Sequence, residues 1–179
     1  MALVDYQTRD EAMQIIPDGE YHVAVFDTKF TPITSNNDGV TRPATECKFR
    51  VLAGEYKGRE FKTLVFCNVY ADGASPNAKP NALAMELMTR SGKFAFGTRF
   101  DTLNLLEIKG CDLVVRVKNR GGFVNLSEFG VWAPSDPDSK IAGVPRDPAA
   151  ADQVRAAVSG GATQEAQAPA EANALAGLG

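Results

Sequence analysis

From Cys47 to Tyr70 the chain holds two runs rich in β-branched and aromatic residues around Ala53-Gly54-Glu55-Tyr56-Lys57-Gly58. Glycine-bearing turn residues between two such runs specify a β-hairpin. Because side chains alternate across a strand, Cys47, Phe49 and Val51 share one face of the first arm and Glu46, Lys48 and Arg50 the other. In the second arm Phe61, Val65, Cys67 and Val69 fall on one face, opposite Lys62, Leu64, Phe66, Asn68 and Tyr70. That last set is too apolar for a solvated surface and too polar for a core. Cations mixed with aromatic rings suit the stacking of bases beside a phosphate backbone.

The flanking chain supplies further strands. Pro17-Asp18-Gly19 punctuates entry into a strand from Glu20 to Phe30, with Tyr21, Val23 and Val25 in one phase and His22, Ala24, Phe26, Thr28 and Phe30 in the other. A bulge or strong coiling would bring parts of both phases inward. His22 has no acid or nucleophile at a telling spacing and reads as a packed or surface residue. The turn formers of Thr31 to Pro43 make a loop that either covers a ligand or merely connects. A second loop, 71–77, precedes a change of period. Leu83, Ala84, Leu87 and Met88 then recur at helical spacing before Gly92, predicting one helix from Asn77 or Asn81 to Ser91.

Lys93 to Phe100 interleaves three phenylalanines with two cations, which suits either base stacking or a plug at the bottom of a barrel. Asp101 or Thr102 is placed to cap a short second helix through Leu106. Cys111 to Arg120 predicts a strand with Leu113, Val115 and Val117 inside and Arg116, Lys118 and Arg120 outside. Gly121-Gly122 makes a tight turn, and Phe123 to Trp132 returns as a fifth strand. The single Arg120-Gly121-Gly122-Phe123 run is explained by the turn.

Three strands, a helix and two strands is the order of the oligonucleotide-binding (OB) fold, a five-stranded Greek-key barrel that binds on its second and third strands and adjoining loops. The expected organisation is a leader over 1–16, the barrel over 17–133 and a disordered tail over 134–179. That tail is rich in Ala, Pro, Gly, Ser and Gln and poor in aromatics. Ala149 to Val158 has helical propensity within it, and the final Leu175 to Gly179 suits a short docking peptide. Residues 1–133 carry 16 Lys and Arg against 16 Asp and Glu, and residues 134–179 carry 3 against 6, giving the net charge of −3. An anionic partner must therefore be met by local patches.

Three cysteines without a framework spacing read as reduced, buried thiols, and one histidine cannot complete a zinc site or supply a convincing triad. There is no phosphate-cradling glycine loop, so the chain reads as a non-enzyme without a cofactor. With no apolar run of membrane-spanning length and no signal-type leader, the expected compartment is the cytoplasm.

Ile16-Pro17-Asp18-Gly19-Glu20-Tyr21, the run from Phe49 to Arg59, and Lys109-Gly110 before Leu113-Val114-Val115 resemble the landmarks of a phage-borne family long listed as a domain of unknown function. Gly-x-Tyr-Lys-Gly-Arg is the most specific piece, and the resemblance spans about residues 16 to 131. Members are regarded as single-stranded-DNA-binding proteins of phage replication and recombination, with the OB barrel. Asn125 to Phe129 fits the closing strand loosely, and the tail lacks a strongly acidic, aromatic tip.

The resemblance implies a host-cell cytoplasmic protein that binds single-stranded DNA and meets replication or recombination proteins through its tail. On the face reading, the binding residues are Lys48, Arg50, Lys62, Phe66, Tyr70, Arg116, Lys118 and Arg120. The alternative is a non-enzymatic phage structural or assembly protein.

Overall fold

The computed structural model describes residues 16–66, 82–94, 105–120 and 123–159. The chain is mainly β, with strands β1 (Gly19–Phe30), β2 (Ile33–Thr34), β3 (Thr41–Arg42), β4 (Ala44–Val51), β5 (Glu60–Phe66), β6 (Asp112–Arg120), β7 (Phe123–Asn125) and β8 (Val131–Trp132). Helix α1 (Ala82–Arg90) lies between β5 and β6, and helix α2 spans residues 148–159. The main sheet is antiparallel in the order β5-β4-β1-β6-β7, with β8 on β6, while β2 and β3 form a separate small hairpin within the 31–43 loop.

The central hairpin forms with the expected phase. Phe49 lies opposite Phe61 and Lys48 opposite Lys62. Its connection turns at Gly54 and Gly58, both at φ 89°, where a side chain would be strained. Cys47, Phe49, Val51, Phe61 and Val65 are buried, and the Phe49 and Phe61 rings stack at 5.1 Å. The long strand β1 carries the anticipated bulge: its register against β4 shifts between Val25 and Asp27. Val23 and Val25 point inward before the shift, Thr28 and Phe30 take the inward phase after it, and Phe26 is turned outward.

The core closes between the concave side of the sheet and helix α1. Val23, Val25, Leu113, Val115 and Val117 meet Ala84, Leu87 and Met88, with Leu105 and Ile108 from a 3₁₀ turn (Leu105–Ile108). Each such side chain contributes about 1.5–3 kcal/mol relative to exposure. Phe94 packs against this cluster; the rest of the proposed Phe plug and Asp101 and Thr102 lie outside the described residues. Among those residues no backbone ladder joins β5 to β7. A side chain bridges them, Thr63 Oγ1 donating to the Val124 carbonyl at 3.2 Å, and Phe61, Val65 and Val124 share the core.

Two expectations need correction. The continuous strand from Phe123 to Trp132 is broken into β7, a 3₁₀ turn (Glu128–Gly130) and β8. Ser127 diverts the backbone by accepting from the Phe129 amide at 3.2 Å. Gly130 then passes so close to β6 that a Cβ there would lie 2.8 Å from Arg116 Cβ.

The larger correction concerns the tail. Residues 134–159 are packed on the convex face of the sheet, so the folded body does not end at 133. Trp132, Val114 and Ile141 form one apolar cluster, and Ala150, Ala151 and Val154 pack with Ala24 and Leu52 in another. Asp147 caps α2, its Oδ1 accepting from the Ala150 amide at 3.0 Å. Composition hid this. Small side chains on both partners let helix and sheet approach closely, so little aromatic bulk is needed. Among the described residues no helix is long and apolar enough to cross a membrane.

Candidate functional site

On the convex face of the hairpin, four rungs cross from β4 to β5: Ala44 to Phe66, Glu46 to Leu64, Lys48 to Lys62, and Arg50 to Glu60. Arg50 is held by Glu60 at 2.7 Å, and its guanidinium lies 4.8 Å above the Phe26 ring that the bulge turned outward. Lys62 reaches diagonally to Glu46 at 3.8 Å, too far for a tight pair. Lys48 forms no ion pair among the described residues. Like charges directly opposed on a sheet are destabilising, and the Lys48–Lys62 rung sets two such charges together between the rungs that carry Glu46 and Glu60. These lysines, Phe26, Glu60 and Phe61 line a shallow cavity of about 340 Å³. Phe66 is half-buried at the end of this face. Tyr70 lies outside the described residues.

A second row of cations sits on β6. Arg116 donates to Glu20 at 2.8 Å and lies 5.4 Å from the Trp132 ring, which makes it partly a structural residue. Lys118 and Arg120 are exposed and form no ion pair among the described residues. Their cross-strand neighbours on β7 are Asn125 and Phe123. Arg116, Lys118, Arg120, Asn125, Ser127 and Phe129 line an open cleft of about 540 Å³ together with Asp18.

The expected binding residues therefore do not form one surface. Lys48, Arg50, Lys62 and Phe66 stand on the hairpin, and Arg116, Lys118 and Arg120 two strands away. Between them runs β1, whose convex side is covered by residues 132–158. This strap is fixed by polar contacts as well as by packing. His22, 1% exposed, accepts at Nδ1 from the Asp147 amide at 3.1 Å, so its Nε2 carries the hydrogen directed at Asp112 Oδ2, 2.8 Å away. The hydrogen bond from His22, against the opposing effect of burial, holds the Asp112 carboxyl below its ordinary range. Arg155 of α2 binds the other oxygen of Asp112 at 3.2 Å. His22 is thus a structural link sealed beneath the strap.

Residue-by-residue reading missed three aromatics. Phe26 carries the Arg50 guanidinium, yet only the bulge decides its side. Phe123 and Phe129 are 75% and 79% exposed, and alternation within an unbroken fifth strand gave no reason to single them out. Cys47 and Cys111 are buried, and burial pushes the Cys111 thiol up, away from the reactive thiolate. Cys67 lies outside the described residues. Among those described, no group of three or more His, Cys, Asp or Glu side chains is arranged to hold a metal ion.

No family model matches the chain, and neither a curated protein nor a solved structure matches it.

Proposed function

We propose that this chain is a sequence-tolerant single-stranded-DNA-binding protein of phage replication or recombination, non-enzymatic and without a cofactor, built on an OB-type barrel. The order of three strands, a helix and further strands supports the fold, as does the Thr63 to Val124 bond that brings the two outer strands together. The observation that carries the function is the opposed Lys48 and Lys62 on a solvent-facing sheet surface, beside Phe26 and in line with half-buried Phe66. Phosphates neutralise such a rung, and planar rings accept any base. Host-cell cytoplasm is the matching compartment, with replication or recombination proteins engaged through the C-terminal region.

The test is an anisotropy titration of the full chain with oligo-dT against duplex of equal length, repeated on Lys48→Gln/Lys62→Gln. Tighter binding of the single strand, weakened in the variant, supports the reading. Equal affinity for duplex sinks it. A second reading, a non-enzymatic phage structural or assembly protein, is favoured by the exposed Phe123 and Phe129. Co-purification with particles and not with DNA would select it.

A further inference from the structure

Directly opposed residues of an antiparallel pair share a face, so Arg120 stands beside Phe123 and Lys118 beside Asn125 on the convex side. Val124, between the two β7 residues, points into the core. Beyond these rungs Gly130 is pressed against Arg116, with exposed Phe129 next to it in the chain. The two β7 rungs thus set a cation of β6 beside a ring or an amide. Alternate residues of a strand are about 6.7 Å apart, close to the distance between successive phosphates in an extended single strand. Asn125 and Ser127, in and beside the cleft, offer an amide and a hydroxyl to base edges. Asp18, the carboxylate lining this cleft, accepts from the Asn119 backbone and side-chain amides at 2.8 and 2.9 Å.

We propose that this ladder is a second base-stacking platform, separate from the hairpin face: Phe123 and Phe129 each take a nucleobase, while Lys118 and Arg120 take the phosphates between them. The inference rests on the single-strand-binding reading and adds to it a divided footprint. The strap over β1 keeps the strand from lying flat across the sheet, so one molecule of DNA must engage the hairpin and the β6–β7 ladder as two patches.

The experiment compares the full chain with Phe123→Ala/Phe129→Ala, Lys118→Gln/Arg120→Gln and Lys48→Gln/Lys62→Gln in oligo-dT titrations at several salt concentrations. Both rings are largely exposed, so the alanine variant keeps its fold; circular dichroism checks this. Loss of each ring lowers affinity about 5- to 150-fold without changing the salt slope. The Lys118→Gln/Arg120→Gln change makes the slope shallower by roughly 1.4. Photo-crosslinking of the unaltered chain to iodouridine-bearing single strands recovers adducts on the peptide containing Phe123 and Phe129.

Wild-type affinity and slope in both β6–β7 variants, with binding lost only in Lys48→Gln/Lys62→Gln, overturns the second platform and leaves the hairpin reading standing. Absence of oligo-dT binding by the unaltered chain overturns both. Unchanged DNA binding in Phe123→Ala/Phe129→Ala, with lost retention on phage particles, assigns the rings to a protein contact and also overturns the platform.

Discussion

Phe61 and Phe66 lie five residues apart on β5 and meet opposite environments. Phe61 is 3% exposed and stacks on Phe49, whereas Phe66 is half-buried on the convex face. Phe61→Ala should destabilise by about 3–5 kcal/mol as a core cavity. Phe66→Ala should cost markedly less stability and weaken oligo-dT binding by about 1–3 kcal/mol. Melting temperature and affinity measured on both variants check the pair; a Phe66→Ala protein that unfolds while Phe61→Ala is harmless would contradict it. Lys48→Gln tests the opposed rung. Removing one of two like charges should leave melting temperature unchanged or slightly raised while weakening binding. These phases were legible because strict alternation leaves only one buried set for β4 and β5. Phe26 was not, since its direction depends on where an extra residue is accommodated between Val25 and Asp27.

The strap, β8 through α2, is the element in which composition misled. Its small apolar residues looked unable to order a tail, yet Ala24 and Leu52 provide a matching surface, and Trp132 anchors the entry by donating from Nε1 to Asp138 at 3.0 Å. Deleting residues 134–179 should therefore destabilise the protein by about 3 kcal/mol or more and expose Trp132, the chain's one tryptophan. An unchanged melting temperature would return the boundary to 133. Acid gives a gentler probe. Three carboxyls at the strap contact are held low: Asp112 of β6 first by its hydrogen bond from His22, and in the strap itself Asp138 first by the Lys140 amide and Asp147 first by the Ala150 amide. A lowered folded value means the contribution is present above the ordinary aspartate value of about 4 and is lost as pH falls below it. Stability should decline below about pH 4, with the Trp132 emission shifting to the red as the strap loosens; Asp138→Asn should reduce that shift. Flat stability down to pH 2 would contradict the assignment.

At the scale of the molecule, a body with balanced charge cannot draw DNA by its overall field, so binding must come from where cations are placed. The order of β1, β4, β5, α1 and β6 and the central hairpin were legible from periodicity and turn residues. The division of the candidate surface was not, because it arises from long-range packing of residues 132–158 over β1. Four cations, Lys48, Lys62, Lys118 and Arg120, are less committed to protein partners than Arg50 and Arg116, the other two of the six expected. If these four meet phosphates, the logarithm of affinity for a single strand falls with the logarithm of salt at a slope of roughly −3. Titration of labelled oligo-dT and of matched duplex across salt concentrations measures this directly: preference for the single strand with that slope is the expected result, and equal affinity for duplex or a flat salt dependence would overturn single-strand binding by these cations.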